Sequence, residues 1–194
     1  FNKFSSLSSI INVSEFKKII NQYKNNPHGQ TVDYIVSQGV SAHQLQEIIE
    51  LIKSQNSERT FNLINAEDFI TKKEDKFSVH KHQQSNVLIT RPIKLNETSY
   101  SCQLTIDENF AEMSDHVTGM HIQGMVLIEA ARQMMLSVTE TYFLSEKEQS
   151  NSYFVLNSVN SSFNQFTFPL DINLQYSVNR AERKKKNRQM LFFF

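Results

Sequence analysis

The sequence predicts an α+β fold, one long helix against a meander of antiparallel strands, with a small α/β segment in front. Three observations predict it. The stretch from Gly124 to Phe143 has helical periodicity and is the longest such run in the chain. Strand-like segments lie on both sides of it, cleanest where Leu170, Ile172, Leu174, Tyr176 and Val178 alternate with Asp171, Asn173, Gln175 and Ser177. Short helix and strand patterns alternate before residue 70, up to the charged run Lys72-Lys73-Glu74-Asp75-Lys76. The expected division is therefore an N-terminal α/β extension and linker, residues 1–75, and a second domain, residues 76–194.

In the first part, Ser14 can cap a short helix from Glu15 to Lys24 with Phe16, Ile19, Ile20 and Tyr23 on one face. Thr31 to Ser37 reads as a strand. Ser41 with Gln44 forms a capping box, and Leu45, Ile48, Ile49 and Ile52 form the apolar stripe of the helix that follows, to about Lys53. Thr60 to Asn65 is a second short strand. In the second part, Val79 to Thr90, Ser99 to Ile106 and Tyr153 to Phe168 read as strands. Tyr100, Cys102, Leu104 and Ile106 share one face. Phe110 to Gln123 is a loop carrying His116 and His121, Arg180 to Arg188 is a basic hairpin connection, and Met190 opens a further strand.

Composition bounds the function classes. The 194 residues carry 20 basic and 20 acidic side chains, so no global field draws the chain to nucleic acid or to an anionic membrane. No apolar run approaches the roughly 18–20 residues of a membrane span. The single cysteine, Cys102, permits no internal disulfide and no cysteine-based zinc site, and fits a reducing, cytoplasmic setting. No cofactor and no metal are expected. The start at Phe1 and the terminal run Met190 to Phe194 read as cut ends, so the second domain is expected to be incomplete at its C-terminus.

The most informative stretch runs from Asp115 to Gln133. Met125 to Ile128 offer no polar side, so the helix start is expected to be buried on most sides. Glu129, Arg132 and Gln133 follow at i, i+3 and i+4 on one face, with Arg132 the obvious partner of the carboxylate. Glu129, Arg132, Gln133, Ser137 and Glu140 also trace one polar stripe, and periodicity alone favours a solvated face over a site. His80 and His82 lack a third ligand nearby and read as a surface pair. Cys102 reads as a core thiol. The basic run Arg183 to Lys186 reads as a solvated hairpin tip, with docking of an acidic carrier protein as its functional alternative.

Gly124-Met125-Val126-Leu127-Ile128-Glu129-Ala130-Ala131-Arg132-Gln133 resembles the Gly-Met-Val-Leu-Leu-Glu-Ala-Ala-Arg-Gln helix motif of the A-factor biosynthesis (AfsA-type) hotdog family. A second, separate motif, Val79-His80-Lys81 followed by Asn86-Val87-Leu88-Ile89-Thr90, is similar to the family's Val-His-Lys … Glu-Val-Leu-Leu-Thr opening. The resemblance covers about Phe77 to Val178 and implies a hotdog fold, a long central helix wrapped by an antiparallel sheet. Here Asp115-His116-Val117 and Gln123 stand where hotdog dehydratases carry Gly-His-Phe-Pro and a proline, which shifts the histidine register.

The resemblance implies an acyltransferase acting on β-ketoacyl thioesters of acyl carrier protein or CoA, in γ-butyrolactone-type signal or secondary-metabolite biosynthesis. A 3-hydroxyacyl-thioester dehydratase, a thioesterase and a non-catalytic acyl-binding or assembly module are the alternatives. The implied catalytic residues are Glu129, Arg132, His116 and His121. The implied substrate-binding residues are Gly124, Met125 and Gln133. Glu129 would act as general acid or base inside an apolar acyl channel, and Arg132 would hold it or bind a substrate phosphate. Gly124 would let the thioester carbonyl approach the helix N-terminus. A homodimer, or a second hotdog repeat, would complete the site.

Overall fold

A computed structural model describes residues 10–23, 30–70, 73–107, 110, 121–149, 152–186 and 188–193, without the side chains of residue 68 and of residues 183–193. The N-terminal part holds α1 (Val13–Tyr23), β1 (Val32–Tyr34), α2 (Ala42–Ser54), β2 (Phe61–Leu63) and α3 (Ala66–Ile70). β1 and β2 pair in parallel, joined through α2 as a βαβ unit. α2 begins where the capping box predicts. The Ser41 hydroxyl accepts from Gln44 N, and the Gln44 side chain accepts from Ser41 N. Phe16, Ile20, Ile48, Ile52 and Phe61 form its core.

The second part contains β3 (Ile93–Lys94), β4 (Ser99–Gln103), α4 (Gly124–Val138), α5 (Glu146–Gln149), β5 (Asn173–Ser177), β6 (Ala181–Lys186) and β7 (Arg188–Phe193). β3, β4 and β5 make one antiparallel sheet with β4 in the middle, and β6 pairs with β7 in a separate hairpin. α4 continues into a wider π-helical turn, Thr139–Phe143. Val126, Ala130, Met134 and Val138, spaced by four, carry the buried face of this helix onto Leu88, Tyr100, Cys102 and Leu104. The result is one long helix packed on an antiparallel sheet.

The two parts are knitted by Gln38, which is almost fully buried. Its side-chain N–H groups donate to the carbonyls of Leu104 and Leu170, and its Oε1 accepts from Ile106 N at 2.8 Å. A short extension with modest cores thus borrows backbone partners from the larger sheet.

Four segments differ from the sequence expectation. Residues 79–90 form turns, a short 3₁₀ turn (Gln84–Asn86) and isolated bridges rather than a strand, because the Asn86 carbonyl and the Leu88 N–H bond to the Gln133 side chain instead of a neighbouring strand. Residues 153–168 carry no regular secondary structure and belong to no sheet among the described residues, and Tyr153, Val155, Leu156, Val159, Phe163, Phe166 and Phe168 are exposed. The basic stretch from Ala181 to Lys186 is itself strand β6 rather than a connection, paired residue by residue with β7. The helix start is open on one side: Met125 is 67% exposed, whereas Val126 is fully buried and Leu127 and Ile128 are half-buried.

Candidate functional site

The two sequence motifs meet across the central helix. The polar stripe of α4 is not a solvated face. Gln133 and Ser137 are fully buried, Glu140 is 6% exposed, and the Glu129 side chain is 17% exposed. Residues 74–88 fold over this stripe and supply its partners. The Ser137 hydroxyl donates to Glu74 Oε2. Gln133 Oε1 accepts from Leu88 N at 2.8 Å, and Gln133 Nε2 donates to the Asn86 carbonyl at 2.9 Å. Burying a polar row is tolerable here because each member finds a hydrogen-bonding partner.

His80 corrects the surface-pair reading. Its Nε2 lies 3.1 Å from Oε1 of the buried Glu140, and the edge of Phe154 packs on its ring. The backbone at His80 is left-handed, with φ 56°, an uncommon state for a residue with a side chain. From this corner His80 reaches Glu140 and Lys81 reaches Glu129. Eleven residues of helix, about 16 Å, separate those two acids.

Glu129 is gripped from three sides. Arg132 donates to it twice, Nε to Oε2 at 2.7 Å and Nη2 to Oε1 at 2.9 Å. Lys81 Nζ lies 2.8 Å from Oε1, and Gln133 Nε2 donates to the same oxygen at 3.0 Å. Burial alone pushes this carboxyl up. The hydrogen bonds from Arg132, Lys81 and Gln133 outweigh it and bring the pKa down to about 2. Glu129 is therefore an anion at any physiological pH. Its hydrogen-bonding surroundings are charged and polar, unlike the apolar channel that the resemblance implies. The Arg132 guanidinium is held correspondingly more firmly in its charged form by the same carboxylate.

The other predicted site residues lie elsewhere. Gly124 opens α4, and the Phe163 ring fills the space beside it: an added Cβ would sit 2.7 Å from Phe163 Cζ. Met125 projects outward. His121 faces Phe166, with ring centroids 5.1 Å apart. Ile122 N donates to the Thr167 carbonyl, so the strap from Phe163 to Phe168 crosses the helix start. His116 lies outside the described residues. Sequence reasoning missed Lys81, His80 and Phe163 as site neighbours. For Lys81 and His80 a signal existed, since both sit in the quoted Val-His-Lys motif.

A cavity of about 380 Å³ lies between the two parts of the chain, lined by Val40, Phe69, Ile70, Lys73, Glu74 and Ile106 among others, and its lining does not include Glu129. Burial pushes the Lys73 ammonium down, Asp107 at 3.8 Å partly countering it, while its Nζ donates to the Val87 carbonyl. Among the described residues, no group of three or more His, Cys, Asp and Glu could hold a metal, and no helix is long and apolar enough to cross a membrane.

The family model of the A-factor biosynthesis hotdog domain matches residues 65–191. The chain belongs to that hotdog family. Both motifs, the polar cluster they build and the helix-on-sheet core lie inside the matched region. The match also begins ahead of the expected boundary at residue 76, and so takes in Glu74, the partner of Ser137. Membership connects the hotdog domain to A-factor-type biosynthesis, a branch of secondary metabolism. No curated protein and no solved structure matches the chain.

Proposed function

We propose that this hotdog domain transfers a β-ketoacyl group from a carrier-linked thioester to a hydroxyl of a phosphorylated acceptor such as dihydroxyacetone phosphate. One observation carries the reading: two cations, Arg132 and Lys81, converge on the Glu129 carboxylate near the start of the central helix, where all three side chains are partly open to solvent. Acyl transfer to such an acceptor needs a cationic seat for the phosphate and a carboxylate near the hydroxyl. Glu129, ionised throughout the working range, has no proton to donate, and it would become an effective acceptor only once Arg132 and Lys81 turn to the phosphate and its pKa rises. That weighs against the dehydratase alternative, in which it would act as the acid.

In this reading the first N–H groups of α4 stabilise charge on the thioester oxygen. The Phe163 ring beside Gly124 would form the apolar lip over which the acyl chain enters. Glu129 takes the acceptor hydroxyl proton, the hydroxyl oxygen bonds to the acyl carbon, and the C–S bond breaks to release the carrier thiol. A second hotdog unit, from a second copy of the chain or a further repeat, would cover the apolar strap. Met125, Phe163 and Phe166 at the helix start are 57–76% exposed, a patch that calls for a partner.

One observation favours a second reading. Glu129 is fully engaged by its three donors and Phe163 occupies the approach to Gly124, as suits a non-catalytic acyl-binding module. Incubation with β-ketoacyl carrier protein, with and without dihydroxyacetone phosphate, separates the readings by mass spectrometry. A phosphorylated ester supports acyl transfer, free β-keto acid indicates a thioesterase, and an unchanged thioester indicates the binding module. Glu129→Gln is expected to abolish ester formation.

A further inference from the structure

The cavity between the two parts of the chain holds a nucleophile that acyl transfer does not use. Its volume, about 380 Å³, lies at the small end of ligand pockets, which run from about 300 to 1,000 Å³. Phe69, Ile70 and Ile106 give it an apolar wall, and Lys73 is the one cation among the described residues that line it. The backbone of the lysine is fixed where it stands: Lys73 forms an antiparallel bridge with Thr90, and Glu74 N donates to the Ile89 carbonyl at 2.9 Å. The side chain is 19% exposed, with Nζ 2.9 Å from the Val87 carbonyl and 3.8 Å from Asp107 Oδ2. Burial disfavours the ammonium more than Asp107 restores it, so the neutral amine is easier to reach here than on a surface lysine.

Capture of a carbonyl compound requires a desolvated amine, a carboxylate close enough to carry protons, and an apolar wall for the carbon chain. The cavity supplies all three. We propose that Lys73 captures a neutral aliphatic aldehyde or ketone in this cavity as an imine. The amine nitrogen bonds to the carbonyl carbon, and the carbonyl oxygen leaves as water. Of the three ammonium hydrogens, two depart with that water, carried across by Asp107, and one stays on the protonated imine. The positive charge therefore remains beside Asp107. An anionic carbonyl compound fits less well, because Glu74, Asp75 and Asp107 line the same cavity.

Capture is felt outside the cavity. The Val87 carbonyl that accepts from Lys73 and the Leu88 N–H that donates to Gln133 belong to one peptide group. An ammonium has three hydrogens to share between Val87 and Asp107, whereas the protonated imine has one. That hydrogen stays with the carboxylate, the stronger acceptor, and the Val87 carbonyl loses its donor. The Leu88 N–H on the other side of the peptide is then less polarised, so its amide signal reports capture.

The test is independent of acyl transfer, since hexanal carries neither a thioester nor a phosphate. The full chain is incubated at pH 8 with hexanal and sodium cyanoborohydride, which reduces the imine to a stable secondary amine, and the labelled lysines are mapped by peptide mass spectrometry. Lys73 is expected to be labelled about tenfold faster, or more, than the exposed Lys18 and Lys53. Glyoxylate, an aldehyde that carries a carboxylate, is expected to show no preference for Lys73. In urea the preference for hexanal at Lys73 is expected to vanish with the cavity. With hexanal alone, before any reduction, the Leu88 amide signal is expected to shift while those of β4 stay in place. Labelling of Lys73 no faster than that of Lys18 overturns the inference. So does an equal preference with glyoxylate, or a preference that survives in urea, which would trace it to the neighbouring residues in sequence and not to the cavity. A stationary Leu88 amide in a chain whose Lys73 is captured overturns the link through the 87–88 peptide.

Discussion

Replacing Gln133 by Leu removes three hydrogen bonds at one buried point and changes side-chain volume little. Gln133 Oε1 is the acceptor for the N–H of Leu88, a residue with no exposed surface, and its Nε2 serves the Asn86 carbonyl and Glu129. Leu provides none of these. A buried donor left without an acceptor costs about 1–3 kcal/mol. The Asn86 carbonyl belongs to a half-buried residue and can turn to water, so its loss costs less. Burying Leu in place of an amide returns part of the total, which leaves a net destabilisation of about 2–3 kcal/mol. At roughly 2–4 °C per kcal/mol for a chain of this size, Tm falls by about 4–12 °C. Urea unfolding is the assay. The midpoint is expected to drop at unchanged slope, and exchange of the Leu88 amide hydrogen is expected to accelerate more than that of amides in β4. A loss below about 0.5 kcal/mol, within the range of surface substitutions, refutes the claim that this side chain clasps residues 86–88 to the helix.

Further tests follow from the same contacts. The depressed pKa of Glu129 contributes stability that is fully present above its unfolded value near 4.5 and is lost as pH falls toward the folded value of about 2. The stability gap between wild type and Glu129→Gln, followed by urea unfolding, is therefore expected to shrink steadily from pH 5 to pH 2, and a constant gap would exclude the ion pairs as its source. Burial, with a smaller contribution from Glu74, pushes the Cys102 thiol up to about 12, so iodoacetamide is expected to label it only at the rate of unfolding. Rapid labelling of native protein would show that the β4 core opens locally. Ser41→Ala removes the hydroxyl of the α2 capping box and is expected to cost about 1 kcal/mol in thermal or urea unfolding. No change would mean that Gln44 caps α2 unaided.

The polar row on α4 shows why burial is harder to read than polarity. Glu129, Gln133, Ser137 and Glu140 recur at the spacing of one helix face, and periodicity of this kind ordinarily marks water. Here the covering segment brings its own acid, histidine, lysine and backbone groups, and each satisfies one member of the row. Lys81 was visible in the Val-His-Lys motif, but a lysine in a motif names no partner. Phe163 had still less signal, because an apolar, strand-like segment looks the same whether it pairs with a strand or crosses a helix end.

Near-neighbour patterns decided a good deal before any packing. The capping box at Ser41, the stretch of long helix from Gly124 through Phe143 and the alternation that becomes β5 depend on residues a turn or a step apart, and sequence spacing encodes those distances directly. The family was readable for the same reason, from two short runs of residues. Which groups face Glu129, Gln133 and Glu140 depended on chain closure over 45 to 60 residues. No local rule spans such a separation. Folding sets the surroundings of Glu129 by laying one segment over another, and with them its charge state and its two cations.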